Sequence, residues 1–188
     1  MKTMTLHARA LDLASGLVGA VQPADLGRPT PCAGWDLAAL LAHMIGQNRG
    51  FADALRAGTD VAAYAPVADV TAWPASVVDL LDAVAQPGTD AVLLPEITTA
   101  QRFPVPVVIG FQLLDTVVHS WDVATALGRV WRPDPPLVAA VLEQARLIPT
   151  GPARTAPGAA FGPALAPGED DPWLAALALV GRHPAPAS

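Results

Sequence analysis

The chain holds a single cysteine, Cys32, and a single lysine, Lys2. One cysteine closes no internal disulfide, which excludes a disulfide-stapled secreted scaffold and fits a reducing compartment. Lys and Arg total 11 against 17 Asp and Glu, for a formal net charge of −6, and no basic run occurs. The basic face that nucleic-acid binding requires is therefore missing, and the acidic balance gives no general attraction to anionic lipid or phosphate. No apolar run reaches the roughly 18 residues of a membrane span. The opening Met1-Lys2-Thr3-Met4, followed by His7, Arg9 and Asp12, does not build a secretory apolar segment. A cytoplasmic protein with neither a nucleic-acid nor a membrane partner is the expectation.

Apolar residues are plentiful, 52% of 188, while charged residues are only 15%. That balance and length predict one globular domain over residues 1–188 rather than a disordered chain. The abundance of Ala, Pro and Gly fits the codon bias of a GC-rich genome and lowers the functional weight of any one of them.

The apolar spacing predicts five or six helices. One spans about 4–21, with Leu6, Leu13, Leu17 and Val21 near one face. A second runs from an N-cap at Asp36 to about Arg56 and stops at Gly58. A third carries Val77, Leu80, Leu81 and Val84, with Pro74 in its first turn, after a loop over 59–72. Residues Ala91–Leu94 and Ile97–Thr99 have strand-like composition, but Pro95, Pro104 and Pro106 rule out a regular central strand, so a loose hairpin is expected. A long helix follows from Val107 to about Leu127, closed by Gly128. Another starts at Pro135-Pro136 and reaches Leu147. After a Pro/Gly/Ala-rich excursion, a short helix around Trp173–Val180 ends the pattern. This is an all-α chain, a helical bundle with short extra helices and irregular connections.

The long helix carries the first candidate chemistry. Setting Asp115 at zero and winding about 100° per residue puts His119 near +40°, Gln112 near +60° and Asp122 near −20°. An i,i+4 carboxylate–imidazole pair one turn apart can reach one cation, as helical His-x-x-x-His motifs do. An ordinary alternative competes. Gln112, Asp115, Thr116, His119, Ser120 and Asp122 span a polar arc of roughly 160°, as a solvated helix face would. Against it, the arc is built from Asp, Thr, Ser and His rather than the better helix formers Glu, Lys and Arg. On the second helix His43 sits at the edge of an apolar side formed by Leu37, Leu40, Leu41, Met44 and Ile45. A boundary histidine of the core and a metal ligand are both consistent with that position. Its small neighbours Gly46 and Gly50 leave room for another helix or a ligand. Cys32 reads as a small buried apolar residue, with an internal thiol as the alternative, and Arg49 and Arg182 as surface or packing residues, with pairing to an anionic ligand group as the alternative.

Three blocks carry a family resemblance. Thr30-Pro31-Cys32-Ala33-Gly34-Trp35-Asp36, followed by Leu40-Leu41-Ala42-His43, resembles the T-P-C-x-x-W-[DS] and L-x-x-H pattern of DinB-like proteins. More narrowly, it is similar to the metal-binding N-terminal domain of mycothiol-dependent maleylpyruvate isomerase. Asp115 to Gly128 resembles that group's [ED]-x-x-x-H-x-W-D stretch. Phe161-Gly162-Pro163-Ala164 and Gly181-Arg182-His183-Pro184 resemble the C-terminal blocks of an actinobacterial subfamily of uncharacterised metal-binding proteins. The resemblance implies a DinB/YfiT-like four-helix bundle whose divalent metal is held by His43, Asp115 and His119. Two His and one carboxylate with open positions suit zinc first, then nickel or iron. It also implies a low-molecular-weight thiol as partner, in transferase or isomerase chemistry, and a homodimer. Asp115 departs from the pattern, because the isomerase has the longer Glu there. The isomerase also carries a separate C-terminal domain that helps hold thiol and substrate, for which this length leaves no room. Maleylpyruvate isomerisation itself is therefore not expected. A non-catalytic metal-binding or sensing bundle, and a scaffold that has lost its metal, are the competing readings.

Overall fold

The computed structural model describes residues 2–59, 64–94, 100–155, 161–166 and 171–183. They form two compact units, Met1–Val130 and Trp131–Ser188. The fold is all-α, as expected: six α-helices and one two-stranded sheet among the described residues.

In the first unit, α1 spans Lys2–Val18, α2 Leu37–Ala57, α3 Trp73–Ala85 and α4 Val105–Ala126. α1 packs on α4, and α2 on both α3 and α4. The bundle buries Leu11, Phe51, Leu55, Leu80, Val84, Val108 and Ile109 in one cluster. Burial of such side chains is worth about 1.5–3 kcal/mol each, so helix contacts rather than propensity hold the unit together. The ends of α2 follow the sequence signals. The Asp36 carboxylate accepts from Ala39 N–H at 2.8 Å, and Gly58 ends the helix at φ 77°, a left-handed conformation that costs glycine nothing.

Between α3 and α4, β1 (Ala91–Leu93) pairs antiparallel with β2 (Arg102–Pro104), Val92 opposite Phe103. The expected hairpin is present, but its return strand lies later than Ile97–Thr99, which fall outside the described residues. Pro104 is tolerated because it is the last strand residue and also the N-cap of α4. α4 begins two residues earlier than Val107, since Pro106 occupies the first turn, where its missing N–H is no loss.

The second unit is built on α5 (Pro135–Leu147) and α6 (Pro172–Leu179), which pack together. Arg154 fixes the irregular chain between them. Its guanidinium, 6% exposed, donates to the carbonyls of Ile148, Pro149, Gly162 and Leu179. Asp171 caps α6 through Trp173 and Leu174 N–H and receives Arg132 at 2.6 and 3.0 Å. Arg182 is buried, donating to the Val180 carbonyl at 3.5 Å, which is a packing role.

Candidate metal centre

The loop leading into α2 is a built turn. Thr30 Oγ1 donates to the Trp35 carbonyl at 2.9 Å and accepts from Cys32 N–H at 3.1 Å. Gly34, at φ 79°, closes the reversal. This turn fixes Cys32 and Trp35 beside the first half of α2. His43 lies two turns into that helix, its ring centroid 4.8 Å from that of Trp35.

α4 brings the other groups. Its polar arc does not face solvent: Gln112, Thr116, His119, Ser120 and Asp122 are all buried, and only Asp115 of the set is half-buried. The solvated-face alternative is thereby overturned. Part of the arc is satisfied inside the bundle. Gln112 Nε2 donates to Asn48 Oδ1 at 3.0 Å, Asn48 donates on to Ser76 Oγ at 3.1 Å, and His7 of α1 bonds Gln112 Oε1. Burial pushes His7 down to about 4, against which its bond to Gln112 pulls only weakly.

The remainder converges on His119. Its Nε2 lies 3.3 Å from Asp115 Oδ1, and its Nδ1 lies 2.9 Å from Asp122 Oδ2. The His43 and His119 rings meet edge to face at 5.1 Å. One ligand atom from each of His43, Asp115 and His119 lies within 4.8 Å of the others. For a tetrahedral ion with bonds of 2.0–2.2 Å, a nitrogen–oxygen edge is about 3.4 Å, so the 3.3 Å separation fits without movement. The three residues singled out from the sequence are brought together.

Electrostatics agree with a cation-seeking site. Burial opposes charge on His119, but the Asp115 carboxylate and the hydrogen bonds that the ring makes with Asp115, Asp122 and Cys32 hold it well above the usual histidine range. Asp115 would be raised by burial, yet His119 brings it below the usual carboxylate range. His43 is lowered, chiefly by burial, with Asp115 opposing and His119 reinforcing the shift. The raised His119 thus favours an imidazolium between the two carboxylates of Asp115 and Asp122.

A second group was not legible as a site from the sequence. Cys32 Sγ donates to Asp122 Oδ2 at 3.2 Å and lies 3.9 Å from His119 Nδ1, so Cys32, His119 and Asp122 also form a set with metal-ligand chemistry. The only signal for it was Asp122 three residues after His119; Cys32 lies 87 residues from that histidine. An open cleft of about 500 Å³ runs along the turn, with Thr30, Cys32, Trp35 and Asp36 among its lining residues. The space expected beside Gly46 and Gly50 is not open: the Ala65 carbonyl and the Tyr64 ring fill it.

Residues 7–124 match the model of the mycothiol maleylpyruvate isomerase N-terminal domain. Two proteins of Mycobacterium tuberculosis, from different strains and each described as uncharacterized, are 31% identical over 165 residues, covering 86% of this chain and 86% of theirs. The crystal structure of the mycothiol-dependent maleylpyruvate isomerase is similar in fold, with a TM-score of 0.59 at 16% identity, over 77% of this chain and 68% of that one.

Proposed function

From a chain that belongs to the family of mycothiol maleylpyruvate isomerase N-terminal domains, we propose a protein that holds one divalent cation through His43, Asp115 and His119 and presents it to a low-molecular-weight thiol. The observation that carries this reading is the clustering of one ligand atom from each of those side chains within 4.8 Å, with a 3.3 Å edge between His119 and Asp115. Zinc suits the donor set best, and nickel or iron would also be accepted.

The chain's own residues prepare that site. Asp122 accepts from Nδ1–H of His119, which leaves the Nε2 lone pair facing Asp115 and His43. The shorter Asp115 is sufficient, because it reaches Nε2 from one turn away on the same helix. Trp35 shields His43 on one side and also lines the open cleft along the turn. Three protein ligands leave a coordination position for a sulfur, and a coordinated thiol is held as the thiolate at neutral pH. A cation held by His43, Asp115 and His119 would supply the thiol in its nucleophilic, deprotonated form.

Elemental analysis tests the ligand set. Wild type should carry about one equivalent of zinc after loading, and His43→Ala and His119→Ala should each lose it. Equal metal in all three proteins would refute the assignment. Mycothiol tests the chemistry: loaded wild type should bind it and consume it with a small electrophile, and the zinc-stripped protein should not. No binding and no turnover at full zinc loading would leave a metal-binding bundle without thiol chemistry.

A further inference from the structure

His119 is flanked by a carboxylate at each ring nitrogen, Asp115 at Nε2 and Asp122 at Nδ1. The proposed function takes its ligands only from the Nε2 side and uses Asp122 at Nδ1 as a hydrogen-bond acceptor. On the other side Cys32 Sγ, His119 Nδ1 and Asp122 Oδ2 lie 3.9, 3.2 and 2.9 Å apart pairwise. A tetrahedral ion bound by one sulfur, one nitrogen and one oxygen requires edges of about 3.6, 3.6 and 3.4 Å. Each existing separation is within about 0.5 Å of its target, so only small adjustments of the Cys32 and Asp122 side chains are required.

We infer that Cys32, His119 and Asp122 form a second cation position, selective for soft, thiophilic metal ions and mutually exclusive with the position at His43 and Asp115. It shares His119 with the proposed function but draws its other two ligands from elsewhere. Thiolate is the ligand that separates soft ions from magnesium- or calcium-like ones, and the first position has none. Exclusivity follows from the ring: a neutral imidazole carries one lone pair, on one nitrogen only. With a cation at Nε2, Nδ1–H donates to Asp122. With a cation at Nδ1, Nε2–H donates to Asp115. Filling the second position expels the Cys32 thiol proton and the Nδ1 proton to solvent and forms metal–sulfur, metal–nitrogen and metal–oxygen bonds. Nothing is oxidised or reduced. Cys32 is partly exposed and lines the open cleft, so an ion reaches it without opening the bundle.

Cadmium is the probe, added to reduced, metal-stripped protein while the ultraviolet thiolate-to-cadmium absorption is followed. The band should rise to a one-to-one endpoint in wild type and in His43→Ala, which removes the first position. It should weaken by about tenfold or more in apparent affinity in His119→Ala and in the milder Asp122→Asn. Prior zinc loading of wild type should hold the band back until zinc is displaced. No band in wild type overturns the inference. So does a band of equal affinity in His119→Ala, which would mean a thiol collecting cadmium alone, or a band lost in His43→Ala. Zinc content in Cys32→Ser separates this inference from the previous one. Retained zinc leaves the His43 site as the zinc position, whereas lost zinc places zinc on the thiolate and defeats the first ligand assignment instead.

Discussion

Asp122 is where the arrangement of the centre can be tested most sharply. Its side chain is fully buried and touches no cation in the proposed site, yet its Oδ2 receives both His119 Nδ1 at 2.9 Å and Cys32 Sγ at 3.2 Å. Asp122→Ala removes that acceptor. The His119 ring then loses the bond that holds its proton on Nδ1, and both tautomers and more than one ring orientation become accessible. Partners of this type govern about 10- to 100-fold of metal affinity, which is about 1.4–2.7 kcal/mol. Zinc affinity measured by competition with a chromophoric chelator at pH 7.5 should fall by that factor, while stoichiometry stays at one. Asp122→Asn, which keeps an oxygen acceptor but drops the charge, should fall between the two. A zinc affinity of Asp122→Ala within twofold of wild type would refute the argument that Asp122 sets the tautomer.

Two further outcomes follow from the core around the site. His7 is held near 4 by burial when folded and near 6.5 when unfolded, so the unfolded chain binds the extra proton between those values. Stability attributable to His7 is therefore complete above about pH 6.5 and declines as pH falls toward 4, by about 3 kcal/mol in all. Urea unfolding at pH 7 and pH 4.5 should show His7→Gln losing less stability on acidification than wild type, and equal losses would sink the argument. Gly46→Ala places a Cβ 2.5 Å from the Ala65 carbonyl oxygen, which is backbone and cannot swing away. The better helix propensity of alanine returns about 1 kcal/mol, but overpacking costs about 1–3 kcal/mol, so thermal unfolding should show a net loss, and a raised Tm would contradict the contact.

Much of the fold was legible because helix signals are local. Asp36 as a cap, Gly58 and Gly128 as stops, and Pro74, Pro106 and Pro135 in first turns each act within a few residues, and each marks a helix end. Local periodicity failed where burial had to be judged. The arc on α4 reads as polar and therefore solvated, but its residues are polar because the bundle interior at that level is polar. Gln112 is spoken for by His7, Thr116 and Asn48, and Thr116 takes Ser120 through its carbonyl. Helices α1, α2 and α4 each supply part of that network, so no single helix could reveal it. The same holds for Gly46 and Gly50, whose missing side chains admit the Tyr64–Ala65 segment rather than a ligand.

The centre itself divides along the same line. Asp115 and Asp122 stand four residues before and three residues after His119, and helical winding alone places them on either side of its ring. That much is written in about two helical turns of sequence. What decides the chemistry is which long-range group meets each nitrogen. α2 delivers His43 to the Asp115 side, and the Thr30–Trp35 turn delivers Cys32 to the Asp122 side. Both arrive from the same short stretch, because the turn is the lead-in to the helix and Asp36 caps the junction. Cys32→Ser, which leaves Trp35 against His43 and α2 intact, should therefore act on the Cys32 side while sparing His43. The two sides of His119 are separable by sequence even though they share one ring.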